Sequence, residues 1–209
     1  METRFRVSRK ALEKEARKQD ILDAAARLFS QRDFHEVTVD QIAAEVGLSK
    51  GTVYLYFRNK DDLFHAIVVQ KGQSLLRKTR ESLQCAGDFV DCLREFVRAH
   101  CGFFEENVTY FRITHSEKTR MTAEGKHRLH DYADQLFHAH LAMLMELVER
   151  GRSEGVLREE GSLALVKALR GILTAYVFHY AFGQSETPLS EQAEEIVDLF
   201  LNGAKRQAP

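Results

Sequence analysis

A chain of 209 residues, 44% hydrophobic and 29% charged, can bury a real core and has room for a small domain beside a larger one. Its net charge of −1 is uneven: residues 1–60 hold 12 Lys and Arg against 9 Asp and Glu, whereas residues 61–209 hold 18 against 22, so a positive head precedes a mildly acidic body. No apolar run approaches the roughly 20 residues of a membrane span, and the basic start METRFRVSRKALEKEARK lacks the apolar segment of a secretory signal, so a cytoplasmic protein is expected.

With two prolines, Pro188 and Pro209, and abundant Ala, Leu, Glu, Lys, Arg and Gln, the chain is expected to be all-α. The first strong period is QDILDAAARLFSQ, where Ile21, Leu22, Ala25, Leu28 and Phe29 share one helical face. Thr38 then reads as a helix cap with Gln41 reaching back to it. The helix it opens presents Val39, Ile42, Ala43 and Val46 on one side and stops at Gly47, a residue suited to positive φ. Ser49 caps a second short helix, KGTVYLYF. Asn59, with Asp62 three residues on, opens a long helix through about Leu83. Further helices are expected over about 88–106, around Tyr110 and Phe111, over 122–151 ending at Gly151, over Ser162–Phe182 and over Ser190–Lys205.

Residues 38–57 therefore hold two short helices about a glycine turn, the helix-turn-helix arrangement whose second helix enters the DNA major groove. Ala43 is small at the crossing, and Val53 and Phe57 pin the second helix. Lys50, Gly51, Thr52, Tyr54 and Tyr56 are left for the outer side and rim. Lysine can read guanine or sit on phosphate, threonine can touch a base or a thymine methyl, and tyrosine hydroxyls bond phosphates.

From Ile21 to Val68, through ILDAAARLFSQRDF and TVDQIAAEVGLSKGTVYLYFRNKDDLF, the chain resembles the DNA-binding domain of TetR-family (tetracycline-repressor-like) regulators. The resemblance covers about a quarter of the chain. Asp33 departs from it, standing where the family usually has glycine, and tolerance of the left-handed conformation would leave the turn unchanged. The resemblance implies a DNA-binding domain over 1–60 with a basic arm and a helical effector-binding and dimerisation domain over 61–209. It also implies a homodimer on double-stranded, palindromic operator DNA.

The family's DNA-facing positions fall on Thr38, Lys50, Gly51, Thr52, Tyr54, Tyr56 and Lys60. Other roles stand beside these: capping for Thr38, close backbone approach for Gly51, partial burial for Tyr54 and a solvated first turn for Lys60. Arg4, Arg6 and Arg9 form either a minor-groove arm or a tail without contacts.

The resemblance further implies that the last two long helices pair across a twofold axis in a four-helix bundle. Two stripes are compatible with it, Leu165, Leu169, Ile172, Leu173 and Tyr176 on one helix and Ala193, Ile196, Val197 and Phe200 on the other; a monomer that hides both stripes internally is the alternative. Phe96, His100, Phe103, Phe104, Tyr110, Phe111, Tyr176 and His179 are candidates for an effector pocket, and equally for plain core. With 14 phenylalanines and no tryptophan, the effector is expected to be small and apolar or aromatic. His127, His130, Asp134 and His138 share a face and could hold a metal or simply be solvated; no metal and no cofactor is expected. Cys85, Cys92 and Cys101 contain no C-x-x-C pair and read as reduced thiols. Neither Cys101 beside His100 nor His179 beside Tyr180 makes a catalytic dyad, because helix neighbours diverge by about 100°, so no enzyme is expected. The reading is a repressor released from DNA by an inducer, with an activator or a metal-responsive regulator of the same fold as alternatives.

Overall fold

The computed structural model describes residues 9–115, 123–159, 161–183 and 187–204. The regular elements among them are all helical: α1 Arg9–Gln31, α2 Val39–Glu45, α3 Lys50–Tyr54, α4 Lys60–Leu83, α5 Phe89–Glu106, α6 Val108–Thr114, α7 Ala123–Ser153, α8 Ser162–Ala181 and α9 Ala193–Ala204. A 3₁₀ turn, Leu189–Gln192, precedes α9. No helix among the described residues is long and apolar enough to cross a membrane.

α3 and α9 are shorter than the sequence reading, α3 ending at Tyr54 rather than Phe57 and α9 starting at Ala193 after the 3₁₀ turn, whereas two helices are longer. α1 begins at Arg9, well before its apolar period. Its first two turns stay exposed and are supported by ion pairs such as Arg9–Glu13 at 2.9 Å, so burial periodicity had nothing to register there. α7 runs past Gly151 to Ser153. Gly151 serves packing rather than termination: a Cβ there would lie 2.8 Å from both Leu157 and Phe89.

The chain divides into two compact units, residues 1–69 with 113–129, and residues 70–112 with 130–209. In the first, α1 to α3 and the start of α4 enclose Ile21, Leu22, Ala25, Phe29, Phe34, Val37, Ile42, Val53, Phe57, Leu63 and Phe64. Phe29, Phe34 and Phe64 pack as a trio, with ring centroids 5.2–5.5 Å apart. One stacked and two edge-on pairs tie the end of α1, the following loop and the start of α4 together. Near that start, the Asp62 carboxylate accepts from Arg128 of α7 at 2.8 Å, which holds the carboxyl below its usual range.

In the second unit α5 is central, burying Phe89, Cys92, Leu93, Phe96, Val97 and Cys101 against Leu144, Leu147 and Val148 of α7 and the inner faces of α8 and α9. Asp88 caps α5 by accepting from Asp91 N at 2.9 Å, and Glu154 accepts from Phe89 N at 2.6 Å. Arg94 and Arg98 of α5 both reach Glu194 of α9.

The helix faces expected to form the dimer interface are mostly this core. Leu165, Leu169, Leu173, Ala193, Ile196, Val197 and Phe200 are buried within the chain itself, and Ile172 and Tyr176 are partly buried against them. A side chain closed off by its own subunit has no area left to offer a second, so that assignment is corrected. The large apolar residues left exposed here are Leu163 and Phe178 on α8, Phe182 just after it, and Leu199 on α9. The thiol expectation is corrected too. Cys85 and Cys92 are disulfide-bonded, the turn between α4 and α5 bringing their Cα atoms to 5.3 Å. Cys101 is free and buried.

Candidate functional site

The helix-turn-helix is assembled by local rules. Thr38 Oγ1 accepts from Gln41 N at 3.2 Å while Gln41 Oε1 accepts from Thr38 N at 2.8 Å, a complete capping box. α2 ends in a Schellman pair, Leu48 N donating to Ala43 O and Gly47 N to Ala44 O, with Gly47 at φ 65°. The chain then turns sharply into α3, where Ser49 Oγ accepts from Thr52 N at 3.1 Å. Val53 and Phe57 are buried and anchor α3 from beneath.

What α3 leaves outward is polar at one end and aromatic at the other. Lys50 and Gly51 are exposed, Thr52 and Tyr56 are partly so, and Tyr54 is 44% exposed. Lys50 Nζ sits 2.6 Å from Asp40 Oδ2, and that hydrogen bond and charge raise the lysine pKa. The Thr52 hydroxyl lies 2.8 Å from that of Ser49. Two members of this surface escaped the sequence reading. Leu55 is 79% exposed, because the inward pair Val53 and Phe57 turns the residue between them out. Asp40 tethers Lys50 across ten residues, a contact that only the Schellman turn creates.

Lys60 is placed differently from the phosphate-facing role expected of it. Its ammonium donates to Phe34 O at 2.6 Å and Val37 O at 2.9 Å, and lies 4.4 Å from the Phe34 ring centroid. Burial lowers its pKa. It closes the connection between α1 and α2 from inside. Asp33 accepts from Glu36 N at 2.9 Å, and no described residue other than glycine has positive φ, so this turn needs no left-handed residue. Arg4 and Arg6 lie outside the described residues; Arg9 is exposed on α1.

Of the pocket candidates, Phe96, His100, Phe103, Phe104 and Phe111 come together. His100 stands 4.8 Å from Phe104 and 5.6 Å from Phe96, while Phe104 meets Phe103 at 5.2 Å and Phe111 at 5.4 Å. Tyr110 is partly buried, which raises its pKa. Tyr176 and His179 do not belong to this group. Tyr176 bonds Glu195 of α9, and with burial this pushes its hydroxyl up to about 12; His179 is exposed on α8.

The sequence reading missed His140, whose ring lies 5.5 Å from that of His100, and Arg170, whose guanidinium lies 4.0 Å from the Phe137 ring centroid. Arg170 is partly buried on α8 while Lys167, the other cation of that helix, is exposed, a difference that only the packed helices create. Burial drives His100 well below the usual imidazole range and His140 down to about 4, and the charge of Arg170 adds to both. The Cys101 thiol is pushed up to about 12, mainly by burial, so it is no nucleophile. His127, His130, Asp134 and His138 do not gather their ligand atoms. The one described trio that does, Asp33, His35 and Glu36, is a surface loop cluster.

Residues 21–67 match the family described as bacterial regulatory proteins, tetR family. The fatty acid metabolism regulator protein of Bacillus subtilis is 20% identical over 184 residues, covering 88% of this chain and 93% of its own length. Among solved structures, the TetR-family transcriptional regulator PfmR of Thermus thermophilus superposes with a TM-score of 0.70 at 28% identity, covering 89% of this chain and 99% of that one. The transcriptional regulator FadR of Bacillus subtilis, in complex with stearoyl-CoA, gives 0.74 at 18% identity over 88% of this chain and 98% of that one. The motif built by α2, the Gly47 turn and α3 lies inside the matched segment, and residues 21–67 are a DNA-binding domain of the tetR family of bacterial regulatory proteins.

Proposed function

We propose that this regulator is a cytoplasmic homodimeric repressor that reads a palindromic operator with α3 and leaves it when a small, apolar-bodied effector enters the second unit. The carrying observation is the surface of α3: Lys50, Gly51, Thr52 and Tyr54 face outward on a helix held rigidly by buried Val53 and Phe57. In this reading Lys50 and Thr52 meet base edges, Tyr54 and Tyr56 meet phosphates, and Leu55 lies against sugar or a thymine methyl. Thr38 donates to phosphate while capping α2, and Gly51 admits the DNA backbone. Lys60 acts indirectly, by holding the α1–α2 connection.

Dimerisation falls to the exposed face of α8 and α9, with Leu163, Phe178, Phe182 and Leu199 as its apolar residues and exposed Ala164, Ala168, Gly171 and Ala175 permitting close helix approach. The effector site is the aromatic group around His100. The neighbour solved with stearoyl-CoA is a precedent for a long apolar ligand in this fold. α4 carries residues of both units in one continuous helix, so an effector that favours one placement of α4 over another changes DNA affinity by its differential binding.

The test is a duplex selected from a randomised pool, compared with its scrambled form across a salt series. Wild-type binding should weaken steeply with salt, as counterion release requires. Lys50→Ala should lose roughly 1–3 kcal/mol of discrimination between the two duplexes. Discrimination unchanged in Lys50→Ala would show that α3 is not the reading helix.

A further inference from the structure

We infer that His100, His140 and Arg170 form the polar end of the effector site and hold the carboxylate of a ligand whose apolar body lies among Phe96, Phe103, Phe104 and Phe111. The inference rests on the effector-controlled reading above and specifies the ligand's chemistry. The His100 ring of α5 and the His140 ring of α7 lie 5.5 Å apart, and the partly buried Arg170 of α8 is near enough for its charge to act on both.

Both imidazoles are only 7% exposed, and among the described residues neither His100 Nδ1 nor His140 Nε2 has a hydrogen-bond partner. A core that needed only ring packing would be better served by phenylalanine, which brings no nitrogen to satisfy. The two ring centroids are 5.5 Å apart, a span short enough for one ligand group to meet both imidazoles. Arg170 supplies the charge. Its guanidinium is stacked on Phe137, and no ion pair to it occurs among the described side chains.

The sign of the site follows from that charge. Arg170 acts on both imidazoles in the direction that disfavours their protonation, so a second cation is unwelcome there. No third histidine, cysteine or carboxylate among the described residues completes a metal set with the two rings. Neutral imidazoles still donate one N–H each. Two such donors and a guanidinium suit the oxygens of a carboxylate, and charge-assisted hydrogen bonds of this kind are the stronger class.

Calorimetry of the full chain with dodecanoate, phenylbutyrate and their alcohols, dodecanol and phenylbutanol, tests the assignment. One acid should bind roughly tenfold or more tightly than its alcohol, and Arg170→Met should remove that preference while Arg170→Lys keeps part of it. His140→Phe should weaken acid binding in a protein that melts no lower than wild type when ligand-free. The assignment is overturned if neither acid binds, if acid and alcohol bind alike, or if the preference survives Arg170→Met. Saturable zinc binding lost in His140→Phe would also overturn it, as would dodecanoyl-CoA binding more tightly than dodecanoate, because the head group would then be a thioester carbonyl. Failure of the repressor reading looks different: the acid binds as described and DNA affinity does not change.

Discussion

The DNA-reading segment, residues 9–69, and the core of the second unit around α5 are both built from amphipathic helices, but they treat buried polarity in opposite ways. In the reading segment no buried side-chain nitrogen or oxygen is without a hydrogen-bond partner, and the one ammonium drawn inward, Lys60, is met by two carbonyls and a ring. In the second unit two imidazoles sit deep in the core with a nitrogen each unmet. A surface that must present α3 identically to every operator benefits from a closed, satisfied core. A domain that must respond to a molecule benefits from polar groups whose best partner arrives with that molecule.

The sharpest way to break this contrast is to damage the satisfied core. Phe64 packs edge-on to both Phe29 and Phe34 and is buried. Phe64→Ala should destabilise by about 3–5 kcal/mol, the usual range for a fully buried phenylalanine, and should abolish DNA binding. Urea unfolding with a DNA shift assay checks both. A stable variant that no longer binds DNA would mean the trio orients the reading helix more than it stabilises the fold.

A second, smaller effect concerns the unmet imidazoles and has a definite sign. His140 is held at about 4 and His100 well below its usual value, so in the pH range beneath about 6.5 the unfolded chain binds protons that the folded one refuses. The contribution is complete above that range and is lost as pH falls toward 4, at about 1.4 kcal/mol per pH unit for each imidazole. His140→Phe should flatten this acid limb in melts between pH 7 and 4.5. An unchanged slope would show that His140 is accessible to protons in the native state.

How much of this could be read from residues alone follows from the range of each interaction. The capping box at Thr38, the Gly47 turn, the Ser49 cap and the inward pair Val53 and Phe57 depend on neighbours within five residues, and all stand where periodicity and turn chemistry put them. Helix spacing also identified the apolar face of α8, but a period says that Leu165, Leu169 and Leu173 are buried, not by what. The same chain covers them, and the exposed Phe178 and Phe182 follow only once that is known. Lys60 and His140 were out of reach for a related reason. Their partners lie 23 to 40 residues away, across contacts that exist only after the helices have packed.

The smallest expected effect lies at the reading surface itself. The Lys50–Asp40 pair is short, but both side chains are about half exposed, at 48% and 62%. Exposed pairs of this kind contribute at most about 1 kcal/mol to stability, so Asp40→Asn should leave the melting curve nearly unchanged. Its effect on DNA should be larger than its effect on folding, for two reasons. The lysine no longer has to leave a carboxylate before meeting a base, and a negative charge is removed beside a phosphate backbone. Binding to the selected duplex should tighten by a few-fold, on the order of one surface ion pair, and Lys50→Ala should erase that gain when the two changes are combined. If Asp40→Asn tightened binding equally in the presence and absence of Lys50, Asp40 would act only by repelling phosphate, and the tether would have no part in how α3 finds its sequence.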